Sequence, residues 1–155
     1  MSMKIEPGTP GWQKRHVELY LKTDGAEGHA VDFALPGLPP VPCLLLQTSG
    51  RKSHAAQTTP LIYGKDGNSF IVVASRGGAP THPAWFLNLK DHPEVRFQVA
   101  SKKYRGTARI TAGAERERLY AMMTRLYPPY RDYQAKTTRE IPVVALEPQA
   151  EIERL

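Results

Sequence analysis

A chain of 155 residues with 41% apolar side chains is long enough for one domain with a sizeable core, and too apolar to be disordered. Its net charge of +6 points to acidic partners, among which charge alone does not choose: nucleic acid, anionic lipid or a phosphorylated small molecule. The one cysteine, Cys43, excludes an intrachain disulfide and makes a reducing compartment the default.

No run of about 18 apolar residues is present, so no membrane-spanning helix is expected. The opening stretch lacks the apolar centre of a signal peptide, and the expectation is a cytoplasmic protein. Thr9 and Pro10 fit a helix start. From there Trp12, His16, Leu19 and Tyr20 recur at helical spacing, with Lys14, Arg15, Glu18 and Lys22 on other faces. This short helix, ending near "TDGAEG", either covers one end of the core or rests its basic face on a membrane surface or a cofactor tail. The proline-rich "FALPGLPPVP" then reads as an extended connection, not a domain boundary.

Strand-like runs follow. "CLLLQTS" and "TTPLIYG" flank a basic turn, and Asp66-Gly67 is a hairpin signal leading into "SFIVVAS". "VRFQVA" and "YRGTARITA" alternate, with Gly106 marking a bulge or a close approach. "PVVALEP" supplies the last of six expected strands. Helices interrupt them: "HPAWFLNLKDHP", bounded by Pro83 and Pro93; "AERERLYAMMTRLY", with Leu119, Met122, Met123 and Leu126 on one face; and a short "PPYRDYQAK". Short connections and late helices imply a single α+β domain over residues 1–155, an antiparallel barrel with helical additions, and disfavour a doubly wound parallel sheet.

Three stretches carry candidate chemistry. In "TSGRKS", Gly50 permits a tight turn whose successive amides could converge on an anion, while Arg51 and Lys52 complement a phosphate; a solvated hairpin turn explains the same residues equally well. The pattern is not a Walker loop. In "VVASRGGAP", a strand ends at Ser75 and paired glycines let the backbone approach a ligand, with Arg76 adding a cation; an ordinary strand-to-helix turn is the simpler account. In "LYPPYRDYQ", Tyr127, Tyr130 and Tyr133 stand three apart and offer flat apolar contact plus hydroxyls, or else pack against the barrel. Trp85 suits the core better than a ligand platform. Asn88, flanked by apolar residues, either satisfies backbone groups or touches a ligand. The histidines show no metal-ligand spacing, and no GxSxG elbow or GxGxxG turn is present.

Taken in order, "LLLQTSGRKS", "TTPLIY", "VVASRGGAPTHPAWFLNL", "YPPYRDYQ" and "REIPVVALEP" resemble the deazaflavin-dependent nitroreductase family, from about Leu44 to Pro148 and with residues 1–42 outside the best-matched region. The resemblance implies a split β-barrel and coenzyme F420, a deazaflavin with a phosphate and an acidic oligoglutamate tail. It implies that Arg51, Lys52, Ser53, Gln57 and Asn88 bind the coenzyme, the first three at its phosphate end. It further implies that Ala74 to Gly78 (Ser75, Arg76 and Gly77 between them) and Trp85 hold the deazaflavin and its chain, and that Pro60, Leu61 and Ile62 flank its ring. Tyr127, Tyr130 and Tyr133 match the family's substrate tyrosines, and Ser75, Tyr130 and Tyr133 become the candidate catalytic residues. Gln57, Arg76 and His82 stand where many members carry arginine, lysine and asparagine.

The function this implies is hydride transfer from the reduced coenzyme to a quinone, activated alkene or nitroaromatic. Rival readings are a coenzyme-binding protein without efficient catalysis, a split barrel using flavin mononucleotide, and a nucleic-acid-binding barrel; the last lacks the clustered basic and aromatic strand face it needs. A small-molecule acceptor is the expected partner, with peripheral membrane contact through the first helix left open.

Overall fold

The computed structural model describes residues 3–5 and 9–155. Among them nine strands form one sheet: β1 Met3–Lys4, β2 Ala30–Asp32, β3 Val41–Ser49, β4 Ala56–Ile62, β5 Gly64–Asp66, β6 Ser69–Val73, β7 Glu94–Val99, β8 Lys102–Ile110 and β9 Val143–Ile152. The helices are α1 Trp12–Lys22, α2 Ala84–Asp91, α3 Gly113–Leu126 and α4 Pro129–Ala135. The strands missing from the six-strand expectation are β1, β2 and β5, each of two or three residues. Runs that short carry no alternation to detect, and pairing with a neighbour fixes them. Helix α1 begins at Trp12, two residues after Pro10, because Gly11 takes the left-handed conformation at the cap (φ +71).

The strand order is β1-β2-β3-β7-β8-β9-β6-β5, with β4 paired to β3, and every pair except β1–β2 is antiparallel. The hairpin signal at Asp66-Gly67 is realised between β5 and β6, where Asp66 pairs with Ser69 and Gly67 has φ +61. Gly106 marks both a bulge and a close approach: the β8–β9 register shifts there, and a Cβ would stand 2.2 Å from the Glu147 carbonyl oxygen. This order leaves β4 and β6 unpaired with each other, so the barrel is split along a seam. Pro60, mid-strand in β4 and without an N–H, suits such an edge.

The continuous apolar runs have a physical cause. In β6, Phe70 and Val72 face the barrel interior with Leu44, Leu46, Phe97 and Leu146. Ile71 and Val73 face outward and are covered by Leu119 and Met123 of α3 and by Tyr127 and Tyr130. A strand buried on both faces needs apolar residues at every position. Each such side chain contributes about 1.5–3 kcal/mol on burial.

Helix α1 is tied to the barrel by Tyr20, whose hydroxyl accepts from the Ala100 N–H (2.8 Å) and donates to the Cys43 carbonyl (2.9 Å). Tyr20→Phe is expected to destabilise the fold by about 1–3 kcal/mol in urea unfolding, because a buried N–H and carbonyl lose their shared partner. An unchanged midpoint would show that α1 is held by apolar contact alone.

Candidate active site

The seam opens into a cavity of about 490 Å³. On one side Thr59, Pro60, Leu61 and Ile62 of β4 line it; on the other Val73 and the segment Ser75–Gly77 do. Pro83 and Trp85 close one end, the three tyrosines form a further wall, and Trp12, Gln13 and His16 of α1 complete it with Phe33 and Cys43. Residues far apart in the chain thus converge where the sheet lacks a hydrogen-bonded neighbour.

The Ser75–Gly77 wall is a constrained backbone. Ser75 leads into a single 3₁₀ turn, Arg76–Gly78, with positive φ at all three residues: +48, +63 and +84. Glycine accommodates this conformation at two of them; Arg76 adopts it at some conformational cost. Nothing lies within 4 Å of where a Cβ on Gly77 would stand, so bare backbone meets the cavity there. At Gly78 a Cβ would come within 2.8 Å of the Tyr133 carbonyl oxygen, so this glycine lets the turn pack on α4.

The turn is held from behind by Arg139. Its guanidinium donates to the carbonyls of Ser75 (2.8 Å), Ala79 (2.9 Å) and Ala74 (3.3 Å), and to His82 Nδ1 (3.0 Å). A planar fork with five donors suits this array of acceptors; a point charge does not. The Arg76 side chain turns outward to donate to the Thr81 hydroxyl.

The tyrosine wall is equally fixed. Tyr127 and Tyr130 meet edge to face at 5.1 Å, and Tyr130 and Tyr133 at 6.1 Å. The Tyr130 carbonyl accepts from the Tyr120 hydroxyl. The buried Arg116 guanidinium donates to Gln134 of α4 (3.0 Å) and to the Ile141 carbonyl (2.7 Å), joining α3, α4 and the approach to β9. Burial pushes the Tyr130 phenol well above its ordinary pKa and raises Tyr127 as well, the latter helped by the neighbouring Tyr133 phenol. Both stay protonated and able to donate.

The basic turn lies apart from the cavity. Ser49 pairs with Ala56, so residues 50–55 close the β3–β4 hairpin. Asn88 sits beneath it: its side-chain oxygen accepts from the Arg51 N–H (3.2 Å), and its amide donates to Gln57 (2.8 Å) and Thr48 (3.2 Å). Of the two roles open to Asn88, the structure shows the satisfying of backbone, with Gln57 as its partner. The N–H groups of Gly50, His54 and Ala55 are engaged within the turn and that of Arg51 by Asn88, while the Arg51 and Lys52 side chains are exposed and offer charge.

Of the residues singled out by sequence, Pro60, Leu61, Ile62, Ser75, Arg76, Gly77, Trp85, Tyr127, Tyr130 and Tyr133 share the cavity. Arg51, Lys52, Ser53, Gln57 and Asn88 cluster at the turn instead, while Ala74 is buried behind Ser75. Trp85 is both core and cavity wall. The α1 residues and Phe33 were missed as wall residues, and Arg139 as the anchor of the turn.

A family model described as F420H(2)-dependent quinone reductase matches residues 12–148, which takes in α1. The F420H(2)-dependent quinone reductase Rv1261c of Mycobacterium tuberculosis (strain ATCC 25618 / H37Rv) is 36% identical over 149 residues, covering 87% of this chain and 95% of its own. A solved F420-H2 dependent reductase, FDR-A, superposes with a TM-score of 0.64 at 40% identity, covering 68% of this chain and 93% of its own. A second solved structure, a domain-swapped dimer, gives 0.66 at 36% identity, covering 88% and 97%. These likenesses bear out the split barrel.

Two outcomes follow from this geometry. Arg139→Lys is expected to lose about 1–3 kcal/mol of stability and to speed amide exchange at 75–79, since one ammonium cannot serve the same acceptors; unchanged exchange there would mean the turn holds itself. His16, His29 and His82 are each lowered below the ordinary histidine pKa, chiefly by burial and, at His82, also by the Arg139 and Lys90 charges. The unfolded chain therefore binds protons that the folded one refuses. Stability is fully present above about pH 6.5 and falls as pH drops through the folded values, which urea titrations at about pH 7.5 and about pH 5.5 will show.

Proposed function

Because the chain belongs to the F420H(2)-dependent quinone reductase family, we propose that its cavity takes reduced coenzyme F420 and passes a hydride equivalent to a flat quinone-type acceptor. The observation that carries this is the composition of the cavity walls. Apolar Pro60, Leu61, Ile62 and Trp85 suit a planar ring, bare backbone at Gly77 permits close approach, and neutral phenols stand opposite. The volume of about 490 Å³ lies within the ordinary range for cofactor sites. Cationic Arg76 lies at this wall, and Arg51 and Lys52 are exposed on the separate β3–β4 turn. The residues present therefore fit a ring with a phosphorylated, acidic chain.

When bound, the reduced deazaflavin supplies the hydride; the protein supplies position, polarity and exclusion of water. Ser75 Oγ and Tyr130 Oη donate hydrogen bonds to the acceptor oxygen on which negative charge develops. Burial keeps Tyr130 protonated, so it acts as a donor and not as a phenolate. Tyr133 is the least buried of the three phenols and relays the proton that the reduced acceptor needs from solvent. Tyr127 and Tyr130 pack the acceptor's apolar body. Arg51, Lys52 and Ser53 meet the phosphate and acidic tail from outside the cavity, and Gln57 and Asn88 hold that turn in shape. Activated alkenes and nitroaromatics are further acceptors of the same electrophilic kind. The inner face of α1 is committed to the barrel and cavity, which leaves Lys14, Arg15, Leu21 and Lys22 for any contact with anionic lipid.

The deciding experiment is titration with F420 by its intrinsic fluorescence, beside flavin mononucleotide. Saturable binding of F420 alone, about micromolar or tighter (about −8 kcal/mol), is expected; binding of flavin mononucleotide alone overturns the proposal. Ser75→Ala and Tyr130→Phe should each lower kcat by roughly a hundredfold, by loss of a donor to the developing charge. Arg51→Ala with Lys52→Ala should weaken coenzyme binding and flatten its salt dependence while leaving turnover at saturating coenzyme near wild type.

A further inference from the structure

Arg96 and Arg105 stand directly opposite each other on β7 and β8, and Gln47 of β3 stands opposite Arg96. Residues paired in this way share one face of the sheet. Ser49, two residues beyond Gln47, is on that face too, with its partner Ala56. It is the outer face, because Leu44, Leu46 and Phe97, at the alternate positions, fill the barrel. Together with Glu94 these residues line a groove of about 200 Å³.

Both arginines are exposed, and among the described residues neither guanidinium has a hydrogen-bond or ion-pair partner. Like charges directly opposite across a strand pair repel. Glu94, on the groove's wall, forms an ion pair with neither. Elsewhere the chain does supply counter-charges: Arg109, on the same strand as Arg105, is paired with Glu115 and Glu147, and Arg118 with Asp66. An anion lying in the groove therefore gains from two cations at once.

The position says which anion. The Ser49–Ala56 pair that borders the groove also closes the hairpin carrying Arg51 and Lys52. In the proposed function that turn meets the coenzyme's phosphate and the start of its acidic tail. Arg96 lies one row along from the pair, about 7 Å by strand geometry, and Arg105 one strand further, about 5 Å. A single phosphate cannot span these steps; a row of carboxylates can.

Resting on the proposed reductase function, we infer that the Arg96–Arg105 groove is a subsite for the coenzyme's oligoglutamate tail. The tail's carboxylates run from the β3–β4 turn across the outer face of β3, β7 and β8, and the groove makes long-tailed coenzyme bind more tightly than short-tailed.

The test titrates the full-length protein, in low salt, with long-tailed F420 and with F420 bearing one glutamate. Wild type is expected to prefer the long tail by about three- to tenfold, the yield of two exposed ion pairs, and to lose the preference in high salt. Arg96→Gln with Arg105→Gln should abolish the preference while leaving affinity for the one-glutamate form as it was. Arg96→Lys with Arg105→Lys keeps the charges and should retain most of it. Arginine-selective ¹⁵Nε spectra of wild type give a readout independent of whether a variant folds: the Arg96 and Arg105 signals should shift with the long tail and stay put with the short one. Equal binding of both forms by wild type, a tail preference that survives the double glutamine variant, an equal loss for both forms, or arginine signals indifferent to the tail overturns the inference. Failure of wild type to bind either form of F420 sinks the reductase reading first and the subsite with it, so the two failures are distinguishable.

Discussion

The burial of β6 and β9 on both faces is the constraint from which the site follows. Their inward side chains fill the barrel, and their outward ones, Ile71, Val73, Val143 and Ala145, must also be hidden from water. Helices α3 and α4 do this, with Leu119 and Met123 seated directly on the sheet. Once α3 is fixed, the chain emerging from its end has to deliver Tyr127 and Tyr130 to the same outer surface, at the edge where β6 stops and the seam begins. The tyrosine wall is therefore a continuation of the core, and its rigidity comes from the same apolar packing that stabilises the fold.

The opposite wall rests on a different physics. Where β6 ends, the backbone carbonyls of Ala74 and Ser75 lose their ladder partners, and the chain must turn sharply to reach α2. Arg139 supplies the missing donors, arriving from the segment that leads into β9. Burial lowers the Arg139 pKa and the Arg76 charge nearby adds to this, so the guanidinium is held where cations gather. A phosphorylated or acidic ligand on that side relieves the crowding of like charges. The cavity thus has one wall set by apolar burial and one by charge-assisted hydrogen bonds, a division that suits a ligand with a flat apolar ring and an anionic chain.

How much of this was legible in sequence depends on whether a residue's role is local. The apolar runs, the Asp66-Gly67 hairpin and the Gly106 bulge follow from short-range rules, and each appears as expected. Ser75, Gly77 and the tyrosines were legible because unusual residues cluster within a few positions. Asn88 was flagged as an oddity, but its function as a bracket under the basic turn depends on Gln57 and Arg51, 31 and 37 residues away. Arg139 stands among polar neighbours in "KTTRE", and nothing local distinguishes it from a solvated cation. Its partners lie 57 to 65 residues earlier, and only the return of β9 beside β6 brings them together.

His16 shows the same limit in sharper form. At helical spacing with Trp12 and Tyr20 it belongs to the buried stripe of an amphipathic helix, and its burial bears that out. What the helical pattern does not contain is the Gly28 carbonyl, which fixes the proton on Nε2 and by subtraction leaves Nδ1 open. A buried polar side chain with one nitrogen satisfied and the other unpaired is costly to keep in a helix that could carry leucine there. Leucine at that position would leave the Gly28 carbonyl without this partner. Histidine keeps that carbonyl satisfied, and the unpaired Nδ1 is the cost of doing so.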